Sequence, residues 1–138
     1  MSKRSQMAVT LLIVLSSSAT VLAGEREEAA EVAALAWLSD VDAGQYERSW
    51  GNAARLFKQQ IDAAQWAHAV GGARLPLGMV ISRKILSATY AQSLPGAPDG
   101  DYVVIQFQTE FEHKTSAVET VTPMLDADVW RVSGYYVR

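Results

Sequence analysis

The apolar residues of this chain change their spacing part-way along it, and that change decides what the chain can fold into. In the first half of the region that follows Gly24 they recur every three to four positions, and from Leu75 onward every second position. A period near 3.6 gathers them into one stripe on a helix, and a period of two into one face of a strand. Neither half can take the other's structure and still hide its apolar atoms. Helices first and strands second describes an α+β chain.

Three helices are expected. Glu25 to Glu31 supply the acidic start that a helix N-terminus favours, Ala34, Trp37, Leu38 and Val41 follow at i, i+3, i+4 and i+7, and Gly44 stops the helix. A second helix is expected from Tyr46, with Trp50, Ala53 or Ala54, and Phe57 on one aromatic side. For the third, Asp62 is the N-cap with Gln65 three residues on, and Trp66, Ala69, Val70 and Ala73 make the buried stripe until Gly71-Gly72 frays or ends it.

Arg74 to Gly78 then breaks any helix, and Met79 to Tyr90 is rich in β-branched and apolar residues. Leu94 to Gly100 is a turn, with proline presetting φ and Asp99-Gly100 expected to supply a positive-φ corner. In the next strand Val103, Ile105, Phe107 and Phe111 alternate with Gln106, Gln108, Glu110 and Glu112, so one face is buried and one wet. Ala117 to Leu125 and Val129 to Val137 are two further strands around Asp126-Ala127-Asp128. Short sequential connections predict an antiparallel meander. The whole is three helices packed on a four-stranded antiparallel sheet, with no repeat and no linker dividing residues 24–138.

The first 23 residues read as a cleavable secretory signal peptide: Lys3 and Arg4, an apolar run from Met7 to Leu15, then small residues up to Val21-Leu22-Ala23, with cleavage expected after Ala23. Thr10 and Ser16 to Ser18 keep the apolar run short of the roughly 18 residues a spanning helix needs, so no stable membrane anchor is expected after cleavage. The chain has no cysteine, which excludes a lipid-modified cysteine, disulfides and thiolate metal sites. Removing Lys3 and Arg4 from the 12 basic residues leaves 10 against 15 acidic ones, a net charge of −5. That balance argues against nucleic-acid or anionic-lipid partners.

The run from Trp37 to Asp42, Gly44, Tyr46, Ser49-Trp50 and Phe57, followed by Gln65-Trp66, Arg74, Pro76 to Gly78 and Arg83, resembles the bacterial family called domain of unknown function 4019. Pro95-Gly96, Pro98 to Gly100, Phe107, Thr109, Phe111, Glu119 to Val121 and Trp130 to Tyr135 continue the resemblance. It spans nearly all of residues 24–138 and implies an exported or membrane-tethered bacterial protein, with the periplasm as destination. At the level of fold, Asp, Gly and Tyr at the first helix junction and a last strand from Trp130 to Tyr136 look like the cystatin-like and NTF2-like superfold. That likeness implies a roll with a conical pocket, made shallow here if no strand separates the helices.

Few residues offer chemistry. His68 and His113 are the only histidines and have no ligand spacing, so they read as surface residues and no metal or cofactor is expected. No nucleophile set and no phosphate loop occur, and no catalytic residue is assigned. An isomerase-like site would need a desolvated carboxylate, and the inward residues Val103, Ile105, Phe107 and Phe111 offer none. Glu119 breaks the alternation of Val118 to Val121, and Arg83 and Arg131 lie in strand segments, so a cross-strand ion pair on the wet face is the favoured reading of these three. Trp37, Trp50, Trp66 and Trp130 read chiefly as core. The candidate ligand-binding residues are Trp37, Tyr46, Trp50, Trp66, Arg83 and Glu119. The expected function is a non-catalytic periplasmic or secreted module that binds a small apolar ligand or a protein partner, and homodimer formation is open. The alternative is a small NTF2-like enzyme using Glu119 or another carboxylate for proton transfer.

Overall fold

The structure, a computed structural model, describes residues 18–138, with side chains from Gly24. The charged and apolar parts of the expected leader lie outside the described residues. Four helices precede four strands: α1 Ser18–Asp42, α2 Tyr46–Asn52, α3 Arg55–Gln60, α4 Ala63–Arg74, then β1 Val80–Ala91, β2 Tyr102–Phe111, β3 Lys114–Asp126 and β4 Val129–Val137. A 3-10 turn, Leu75–Leu77, joins the two halves. The strands form one antiparallel meander in the order β1-β2-β3-β4. The period change thus marks the helix-to-sheet boundary, as expected.

The first helix buries Ala30, Ala34, Trp37, Leu38 and Val41 as its spacing predicts. The acidic run Glu25 to Glu31 lies inside α1, not at its start, because Ser18 to Gly24 already follow helical geometry. Gly44, at φ +73°, closes the helix: its N–H donates to Val41 O at 3.0 Å and that of Gln45 to Asp40 O at 2.8 Å.

The single aromatic helix expected from Tyr46 is instead two. Ala53 and Ala54 are extended, with ψ of 166° and 153°, and separate α2 from α3. The reason is tertiary: Ala54 N–H donates to Val132 O on the edge strand β4 at 2.8 Å, and both alanines are fully buried. A continuous helix would spend that donor internally and leave the strand edge bare.

Helix α4 starts with the capping box as read: Gln65 N–H donates to Asp62 Oδ1 at 2.8 Å, and Asp62 N–H to Gln65 Oε1 at 3.3 Å. It does not end at Gly71-Gly72 but runs to Arg74, and Gly71 is buried against the Tyr46 ring. The buried stripe runs Trp66, Val70, Arg74, with Ala69 and Ala73 exposed. The i+4 ridge, not the i+3 one, meets the sheet, and it carries an arginine inward.

Within the sheet, β2 buries Val103, Ile105, Phe107, Thr109 and Phe111, and Pro123 sits at a register shift of β3 where its missing donor is tolerated. The positive-φ corner of the β1–β2 loop is Gly96, after Pro95, with Ala97 N–H donating to Leu94 O at 3.2 Å; Gly100 does not supply it. Ala127 and Asp128, at φ 49° and 66°, make the two-residue β3–β4 hairpin. The space between helices and sheet is filled by Trp37, Phe57, Trp66 and Tyr135, with ring centroids 4.8 to 6.4 Å apart.

Candidate functional site

Glu119 lies opposite Phe107 in the β2–β3 register, in phase with Ala117 and Val121, so it points at the helices. The cross-strand ion pair expected on the wet face is therefore buried on the core face, and Glu119 is 0% exposed. Its Oε1 accepts from Thr109 Oγ1 at 2.5 Å and Arg83 Nε at 2.8 Å, and its Oε2 accepts from Tyr135 Oη at 2.5 Å. Arg131 takes no part. Four strands contribute one residue each to this cluster: Arg83 from β1, Thr109 from β2, Glu119 from β3 and Tyr135 from β4.

Two helix ends complete it. Asp42, the last residue of α1, accepts from Arg83 Nη1 at 2.8 Å and Nη2 at 3.0 Å, and from Arg74 Nη2 at 2.8 Å. Arg74, the last residue of α4, is 5% exposed, lies 4.8 Å above the Phe111 ring and brings Nη1 to 3.8 Å from Glu119 Oε2. Its Nε and Nη1 have no hydrogen-bond acceptor among the described residues. The aromatic face and the two nearby carboxylates are what offset that buried charge.

Two cations and two carboxylates alternate, so the cluster is balanced. Burial pushes the Asp42 carboxyl up, but hydrogen bonds from Arg83 and Arg74, and their charges, outweigh it and hold it below the usual carboxylate range. Burial, and then the charge and hydrogen bond of Glu119, push the Tyr135 hydroxyl above its usual value, so it stays a donor. The arrangement ties six elements together and exposes no proton acceptor from its centre.

Of the candidate residues, Arg83 and Glu119 are brought together. Trp37 and Trp66 also meet, as core: the Trp37 indole N–H donates to Ser49 O at 2.8 Å, and that of Trp66 to Ser49 Oγ at 2.9 Å. Trp50 donates to Ile61 O at 2.8 Å, and Tyr46 packs on Gly71. The six candidates do not form one groove. Asp42, Arg74, Thr109 and Tyr135 were not read from the sequence as site residues; the period-two phase of Ala117, Glu119 and Val121 was the available signal. His68 and His113 are both exposed.

Open grooves lie around the packed centre. One, of about 310 Å³, reaches Asp42, Tyr46, Arg74 and Glu112. Another, of about 290 Å³, runs between α1 and β4 past Ala33, Ala36, Trp37, Trp130 and Arg131. A third, of about 410 Å³, lies beside α3 and is bordered by Arg55, Lys58, Asp126 and again Arg131. No described helix is long and apolar enough to cross a membrane.

A family profile described as a protein of unknown function, DUF4019, matches residues 33–135. The chain belongs to the DUF4019 family. No curated protein matches it. The DUF4019 match includes every member of the Glu119 cluster, from Asp42 to Tyr135, and Arg131 of β4.

Proposed function

We propose that this DUF4019 protein is an exported, non-catalytic binding module of the bacterial periplasm. The observation that carries the non-catalytic part is the enclosure of Glu119. It is 0% exposed, and three donors already occupy its oxygens. A general base must reach the proton it removes. Asp42 borders a groove, but two arginines hold its carboxyl below the usual range, which makes it a poor proton acceptor at neutral pH. Neither Glu119 nor Asp42 therefore supplies the base that the NTF2-like enzyme alternative needs. Filling of the interior by Trp37, Phe57, Trp66 and Tyr135 leaves surface grooves as the places for a ligand.

Export is supported by the composition of residues 1–23. Residues 1–23 fused to a reporter should deliver it, cleaved after Ala23, to the periplasm; uncleaved reporter in the cytoplasm overturns this part. For binding, a small-molecule library screened by thermal shift should yield compounds that raise Tm with concentration and are recovered chemically unchanged. Conversion of a hit by wild-type protein, lost in Asp42→Asn, would restore the enzyme reading.

A further inference from the structure

The break at Ala53-Ala54 has an effect beyond covering the β4 edge. It sets Arg48 and Asn52 of α2 on one side of the junction and Arg55 and Lys58 of α3 on the other, each facing a groove against β4. The two grooves, about 290 and 410 Å³, share Arg131. Four of the 10 basic residues that follow Ala23 border this seam, in a chain whose net charge is negative.

The acidic residues in the seam are already engaged. Asp126 accepts from the Arg55 backbone N–H at 2.9 Å and from its Nε and Nη2, each at 2.8 Å. Asp40 pairs with Arg48 Nε at 3.4 Å and accepts from Asn52 Nδ2 at 3.2 Å. Asp128, in the neighbouring turn, is exposed and is not a lining residue of either groove. Arg131 and Lys58 make no ion pair among the described residues; Lys58 lies 5.6 Å above the Trp50 ring, and Arg131 feels Asp126 only at longer range. Arg131, which both grooves share, and Lys58 of the larger groove thus have no ion-pair partner among the described residues. In the smaller groove Ala33 and Ala36 of α1 face Trp130 and Val132 of β4, and Asp40 of α1, engaged by Arg48 and Asn52, also lines it.

We propose that this seam binds a small organic anion, whose acid group is held by Arg131 and Lys58 while its planar apolar body lies against Ala33, Ala36 and Trp130. The inference rests on the binding-module reading above and gives the ligand a chemical class. Arginine and lysine supply charge-assisted donors to a carboxylate or phosphate, and the alanines leave room for a flat body beside the indole. The aromatic stripes of the sequence point to a small apolar ligand or a protein partner; the seam adds the charge.

The test titrates the full chain with 2-naphthoate, its neutral isostere 2-naphthamide, and inorganic phosphate, following the Trp130 indole and Asn52 amide signals by NMR. Saturable binding of naphthoate is expected, weaker in 0.5 M NaCl, with naphthamide and the Arg131→Gln variant each about tenfold weaker, the loss of one charge-assisted hydrogen bond. Phosphate that competes with naphthoate supports recognition of the acid group itself. Arg131 is at a groove edge, so the variant should keep the wild-type melting curve; Lys58→Gln gives a second, independent removal of charge. Equal binding of naphthamide, no effect of either variant, shifts confined to another surface, or no binding of either anion overturns the anion site. A neutral library hit bound elsewhere and recovered unchanged would leave the binding module standing, whereas turnover of hits would remove that reading instead.

Discussion

Glu119 accepts three hydrogen bonds from side chains contributed by three different strands, and two arginines lie within 4 Å of its oxygens. Deleting its charge leaves Arg74 and Arg83 buried with only Asp42 to balance them. Glu119→Gln should lower the unfolding free energy by about 3–5 kcal/mol, the usual loss when one member of a buried ion pair is removed. Urea unfolding measures it, and a loss below about 1 kcal/mol would show that the cluster contributes little to stability. The residue's phase with Ala117 and Val121 was legible, although beside Val118 it reads as a break in the alternation. Its inward direction was not, because a carboxylate points into a core only where donors wait for it, and these donors are brought from positions 83, 109 and 135 by the fold.

Among the elements, the capping box of α4 and the glycine stop of α1 are local devices, and both form as read. Asp62→Ala removes the acceptor for Gln65 N–H and should cost about 1 kcal/mol in a urea melt. Gly78, at φ +75° and ψ −161°, sets the chain from the 3-10 turn into β1, and a Cβ there would lie 2.9 Å from Glu112 Cβ. Gly78→Ala should therefore destabilise by about 1–3 kcal/mol from backbone strain alone, with the clash adding to it. A variant as stable as wild type would mean that the turn rearranges freely. The division of the second helix was not legible in the same way. Tyr46 to Phe57 carry a helical stripe, and nothing local stops it; a backbone donor needed at Val132, nearly eighty residues on, interrupts it. The unread i+4 stripe of α4 has a related cause, since which ridge faces inward depends on the sheet beneath.

For the molecule as a whole, pH sets limits at both ends. Asp42 has a lower affinity for protons when folded than its usual value of 3.8, so below neutral pH the unfolded chain binds more protons. Its contribution is complete above about pH 4 and is lost as pH falls through the depressed folded value. Tyr135 is shifted the other way: the unfolded hydroxyl ionises near its usual value of 10.0 while the folded one keeps its proton. That contribution is complete below pH 10 and is lost as pH rises further. Unfolding free energies measured from pH 2 to 11 should form a plateau with two falling limbs. Asp42→Asn should be less stable at pH 7 and lose less on acidification, and Tyr135→Phe should flatten the alkaline limb; limbs unchanged in both variants would place the titrating groups elsewhere. The sequence by itself determined the order of helices and strands, the meander, the apolar stripe of α1 and the caps, because each depends on residues a few positions apart and on a period that only one backbone geometry can satisfy. The tertiary structure alone decided the break in the second helix, the inward turn of Arg74 and Glu119, and the meeting of Arg131 with α2 and α3. Those depend on partners far apart in the chain, whose positions exist only once the layers have packed.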